Sequence, residues 1–110
     1  MDIAESKRGS VLVVKVSGRL DSGTSGGFQD RLLKLIDGGE KRMVIDVGQV
    51  DYVSSAGLRA FLVAAKRLKG AGGKVAIAAM KNNIKEVFDL SGFSSLFPSF
   101  PSVEGAVSNV

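Results

Sequence analysis

The chain has 110 residues, 45% hydrophobic and 24% charged, with 15 Lys and Arg against 11 Asp and Glu for a net charge of +4. That length suits one domain over residues 1–110, with a single core and room for one surface site. The absence of both Cys and His excludes disulfide frameworks, zinc ribbons, thiol nucleophiles and Ser-His-Asp triads, so only hydroxyl, carboxylate and amine chemistry remains.

In chain order, Ile3 to Lys7 reads as a short strand and Arg8-Gly9 as a two-residue turn. Val11 to Val16 follows as a β-branched strand with Leu12, Val14 and Val16 on one face. Ser17-Gly18 ends it, and Gly18 to Thr24 forms a turn-rich loop around Asp21. Phe28, Leu32, Leu35 and Ile36 then recur at helical spacing up to Asp37-Gly38-Gly39. Gly26 and Gly27 predict a frayed start for this helix.

Met43 to Val47 is short and nearly all apolar, as suits an interior parallel strand, and Gly48 to Val53 leads onward from it. The most regular helix begins after Ser54-Ser55, with Leu58, Phe61, Leu62, Ala65 and Leu68 on its predicted core face and its end near Lys69-Gly70. Lys74 to Ala79 predicts another strand. Asn82-Asn83 predicts the cap of a short helix carrying Ile84, Val87, Phe88 and Leu90, with Gly92 at a left-handed C-terminus. Leu96-Phe97 is expected to form a last short strand, and Ser102 to cap a terminal turn or two through Val107, with the final nine residues or so fraying. Strands alternating with helices place the chain in the α/β class, with a mixed sheet of about four to five strands covered by helices.

Several function classes find no support. The basic residues are scattered and no aromatics alternate with them, so no nucleic-acid partner is expected. Gly70-Ala71-Gly72-Gly73-Lys74 fails the phosphate-loop pattern, because Leu68 stands where the first Gly belongs and Val75 follows the Lys. It reads as a helix-to-strand turn. Asp21, Asp46 and Asp51 match no metal-loop spacing, and no cofactor or metal is expected. The opening residues show no basic stretch followed by an apolar run, and no apolar run approaches a membrane span. The expectation is a non-enzymatic, cytoplasmic protein with no membrane insertion.

One segment stands out. Asp51-Tyr52-Val53-Ser54-Ser55-Ala56-Gly57-Leu58-Arg59 joins a buried strand to the start of the most regular helix, where free backbone N–H groups and the helix dipole favour negative charge. One Ser suffices as a cap. At 100° per residue the second, Ser55, falls with Arg59, Val63 and Lys66 on the side away from the core. A phosphate there is compatible with the fold and adds about −1.5 to −2 charges to the surface.

In sequence this segment resembles the signature of STAS domains, and specifically of bacterial anti-sigma factor antagonists. The likeness also takes in Gly18-Arg19-Leu20-Asp21, Val44-Ile45-Asp46-Val47, Gly72-Gly73 before a strand, and Ile84 to Phe93. It implies a partner switch. The antagonist binds an anti-sigma factor that is also a GHKL-type serine kinase, which phosphorylates it, and a PP2C-type phosphatase reverses the modification. The matching position for the modified residue is Ser55, with Ser54 the alternative, and Asp21 matches an acidic loop residue near it. Ser54 replaces the family's Asp immediately before the modified residue. The implied partner surface comprises Asp21, Ser54, Ser55, Ala56, Arg59, Val63 and Lys66. STAS-like domains also serve lipid-transport ATP-binding-cassette systems and stress-signalling assemblies, which need a contact surface but no phosphorylation.

Overall fold

A computed structural model describes all 110 residues. Strands β1 (Asp2–Arg8), β2 (Val11–Leu20), β3 (Arg42–Val53), β4 (Lys74–Ala78) and β5 (Ser99–Phe100) form one sheet in that spatial order. β1 pairs with β2 antiparallel, and every other pairing is parallel. Helices α1 (Ser25–Asp37), α2 (Ser55–Gly70) and α3 (Asn82–Leu90) alternate with the parallel strands, and a 3-10 turn and α4 (Val103–Asn109) complete the chain. The mixed α/β architecture expected from the alternation is the one observed.

The sheet is buried on both faces. On one side Leu12, Val14, Val16, Met43, Ile45 and Ile77 meet the apolar stripes of α1, α2 and α3. Phe61 of α2 stacks edge-on against Phe28 and Phe88, with ring centroids 5.0 and 5.3 Å apart. On the other side Val11, Val13, Val44, Ala76 and Ala78 lie under Ala106 and Val110. Ser102 caps α4 by accepting from the Gly105 N–H at 3.1 Å. No helix is long and apolar enough to cross a membrane.

Several elements differ from their sequence reading. β2 runs on past Ser17-Gly18 to Leu20, because two register shifts, between Lys15 and Ser17 and between Gly18 (φ +100°) and Arg19, absorb the turn-forming residues as irregularities. β3 likewise continues through Val53. The last strand is Ser99–Phe100, not Leu96-Phe97, since Phe97 leaves the sheet line to pack against Phe61 and Phe88. The cap position of α3 is Lys81, and Leu90 is 82% exposed.

The buried stripe of α2 is Gly57, Ala60, Phe61, Ala64 and Leu68, while Leu58, Leu62 and Ala65 are half-buried. That is a rotation of roughly 75° from the expected face. Small residues let α2 approach the sheet and α1 closely, and the leucines are left along its flank. The glycine-rich turn after α2 is structural: Gly72 has φ +81°, and a Cβ on Gly73 would stand 2.5 Å from the Lys41 carbonyl oxygen.

Candidate functional site

The C-terminal ends of β2 and β3 and the start of α2 meet at one edge of the molecule. Leu20 pairs with Val53 in register, and its carbonyl then accepts the Ser54 N–H at 2.8 Å. This bond fixes the loop after β2 against the first turn of α2. Gly57 completes the junction: a Cβ there would lie 2.8 Å from the Leu20 carbonyl oxygen and 3.1 Å from Val53 Cγ1. The glycine is required by close approach, a signal present in the sequence motif that helical periodicity does not read.

The two adjacent hydroxyls are placed differently. Ser54 is the N-cap, extended at φ −87° and ψ 175°, and its Oγ accepts from the Gly57 N–H at 3.2 Å while its carbonyl accepts from Leu58 at 2.9 Å. Ser55 is the first residue of α2, exposed, and at a helix start with no acidic residue in its first turn. Despite the rotated core stripe, Ser55 faces away from the core together with exposed Arg59 and Lys66, with half-buried Ala56 and Val63 beside them. Neither Arg59 nor Lys66 forms an ion pair.

Asp21 sits in the neighbouring loop. Its Oδ1 accepts from the Gly23 N–H at 2.9 Å and the Thr24 N–H at 3.1 Å, and its own N–H donates to Thr24 Oγ1 at 3.0 Å. The Thr24 hydroxyl in turn donates to the Arg19 carbonyl at 2.7 Å. The Gly23 N–H above all, with the Thr24 donors and Arg19 adding to it against some desolvation, holds the Asp21 carboxyl below its ordinary value. These bonds favour the ionised form and anchor the carboxylate in the loop that Leu20 ties to the start of α2.

Sequence reasoning missed an exposed pair on the same edge. The Arg19 guanidinium lies over the Tyr52 ring, 4.4 Å from its centroid, and reaches Asp21 Oδ2 at 3.9 Å. The two residues are opposite each other in the parallel register, which the irregularity after Gly18 hides from a reading of strand periodicity. Nearby, Asp51 pairs with Lys81 at 2.5 Å and its carbonyl accepts from the Asn83 amide. Asp46 Oδ1 accepts from the Gly48 N–H at 3.0 Å. Asp21, Asp46 and Asp51 are thus each engaged separately, and nowhere do three or more acidic side chains gather as metal ligands.

Comparison with known proteins gives a consistent picture. The family profile described as STAS domain matches residues 2–106. BtrV, a candidate anti-sigma factor antagonist of Bordetella bronchiseptica, is 37% identical over 96% of this chain and 91% of its own length. The crystal structure of an anti-sigma factor antagonist from Mycobacterium paratuberculosis superposes with a TM-score of 0.90 at 23% identity, over 99% of this chain and 92% of that one. The phosphorylated form of SpoIIAA, a Bacillus cell fate determinant, superposes with a TM-score of 0.75 at 16% identity, over 97% of both chains.

Proposed function

The chain belongs to the STAS domain family, among the anti-sigma factor antagonists, and on that premise we propose that it is a partner switch controlled by phosphorylation of Ser55. Anti-sigma factor antagonists are regulatory binding proteins rather than enzymes, and they bind anti-sigma factors. In the proposed cycle the unmodified protein, one domain over residues 1–110 in the cytoplasm, holds an anti-sigma factor that is also a GHKL-type serine kinase. Phosphorylation by that kinase breaks the complex, and a PP2C-type phosphatase restores it.

The observation that carries this reading is the division of labour between two adjacent hydroxyls. Ser54 is committed to the Gly57 N–H as a cap, whereas Ser55 is exposed, which favours Ser55 over Ser54 as acceptor. A phosphate on Ser55 meets the positive end of the α2 dipole and lies one helical turn from Arg59, so the fold tolerates it. Its added charge stands beside ionised Asp21, and together they repel an acidic partner surface that the free protein accepts. SpoIIAA has been solved in both unphosphorylated and phosphorylated forms, which supports a switch of this kind on this fold.

The proposed contact surface is Asp21, Ser54, Ser55, Ala56, Arg59, Val63 and Lys66, extended by the exposed Arg19–Tyr52 pair, a combination enriched at binding hot spots. Incubating the protein with its cognate kinase and ATP and mapping the product by mass spectrometry tests the site. Phosphate on Ser55 is expected. Labelling of Ser54, or undiminished labelling of Ser55→Ala, contradicts the assignment.

A further inference from the structure

A groove lies toward the C-terminal end of α2, away from Ser55, and shares only Lys66 with the contact surface proposed above. It opens at the edge of β4, has a volume of about 550 Å³, and is walled by Leu62 of α2, Val75 of β4, and Leu96 and Pro98 of the segment before β5. Leu96 is 53% exposed and forms part of the rim.

The strand edge inside this groove is open. β5 pairs only with Ile77 and Ala78, so the first half of β4 has no strand partner on that side. Lys74 donates its N–H inward to Lys41 of the β3 side, while Ile77 and Ala79 donate outward to Pro98 and Phe100. Residues of one parity in a parallel strand share a direction, so the backbone of Val75 is turned outward, where no strand opposes it.

The ionisable side chains around the groove are of one sign, and the Val110 carbonyl at its border accepts from the Arg42 guanidinium. Lys66, Lys69 and Lys74 line it and no Asp or Glu does. None of the three takes part in any of the ion pairs that engage other cations of the chain. Apolar walls, an open backbone position and unpaired lysines are complementary to an extended chain with alternating apolar and acidic side chains.

We propose that this groove docks an extended acidic segment of a partner protein, added as a short strand along the open edge of β4, with apolar side chains against Leu62 and Leu96 and carboxylates at the lysines. The groove begins at Leu62, about 10 Å along α2 from Ser55, so the segment binds without covering the phosphate acceptor.

The test is a nuclear magnetic resonance titration of the isotope-labelled protein with a short acetylated peptide of alternating glutamate and valine, beside its lysine–valine counterpart and dodecanoate. The acidic peptide is expected to shift the amides of Gly73 to Ala76 and Leu96, and to bind about tenfold more weakly to the double variant Lys69→Glu, Lys74→Glu. Both lysines are exposed, and the same spectra report that the variant is folded. Three results overturn the proposal: no shifts with the acidic peptide, equal binding of the lysine–valine peptide, or dodecanoate filling the groove while the acidic peptide does not.

Discussion

Gly57 approaches Leu20 so closely that a Cβ on it would stand 2.8 Å from the Leu20 carbonyl oxygen, the atom that also accepts the Ser54 N–H. One backbone carbonyl thus sets the distance between the end of β2 and the first turn of α2. Replacing a helical Gly with Ala ordinarily stabilises by up to about 1 kcal/mol. At Gly57 the sign reverses, and Gly57→Ala is expected to destabilise by about 1–3 kcal/mol because the obstruction is backbone. Gly27 has nothing within 4 Å of its would-be Cβ, so Gly27→Ala is the control and raises stability. Urea unfolding of the two variants measures the difference in sign.

Ser54 and Ser55 are separable by stability alone. Ser54→Ala removes the acceptor of the Gly57 N–H and is expected to cost about 1 kcal/mol, or about 4 °C in Tm. Ser55→Ala changes an exposed side chain and stays within about 0.5 kcal/mol of the parent. Calorimetric melting of the pair checks both.

The Asp21 loop predicts a pH dependence. Its carboxyl is held below its ordinary value of 3.8, chiefly by the Gly23 N–H. A depressed carboxylate contributes stability that is complete above the unfolded value and is lost as pH falls through the folded one. Asp21→Asn keeps an oxygen for the Gly23 and Thr24 N–H groups but removes the charge. The variant is therefore less stable than the parent at neutral pH, and the gap closes below 3.8. Denaturation midpoints taken across the acid range measure it.

Arg19 and Tyr52 stack on the exposed edge beside Ser54, with Tyr52 41% exposed. Arg19→Ala and Tyr52→Ala are each expected to weaken binding of the anti-sigma partner by about tenfold while leaving Tm within a few degrees of the parent. Surface plasmon resonance alongside melting curves separates a contact role from a folding one.

The parts of the molecule legible in the sequence are those governed by local periodicity. Val11 to Val16, Met43 to Val47 and Lys74 to Ala79 announce their strands by β-branched and apolar runs, the last ending one residue earlier in the fold, and Ser54 announces the start of α2. What periodicity misses is set by neighbours distant in sequence. Ala60 and Ala64 carry weak hydrophobic signals, yet they take the centre of the α2 interface because only small side chains permit that approach. Phe97 is drawn out of the strand by aromatic partners on α2 and α3. Arg19 meets Tyr52 only after a register shift that no local pattern displays. The exposure of Ser55 survives the change in core stripe, because a rotation of roughly 75° leaves it on the far side of the helix.

The most direct test of the switch is calorimetric titration of the cognate anti-sigma kinase into the parent protein, Ser55→Ala and Ser55→Asp. The account predicts that the parent and Ser55→Ala bind alike, while Ser55→Asp binds at least about tenfold more weakly with its fold and melting temperature retained. Equal affinity for all three proteins would contradict it.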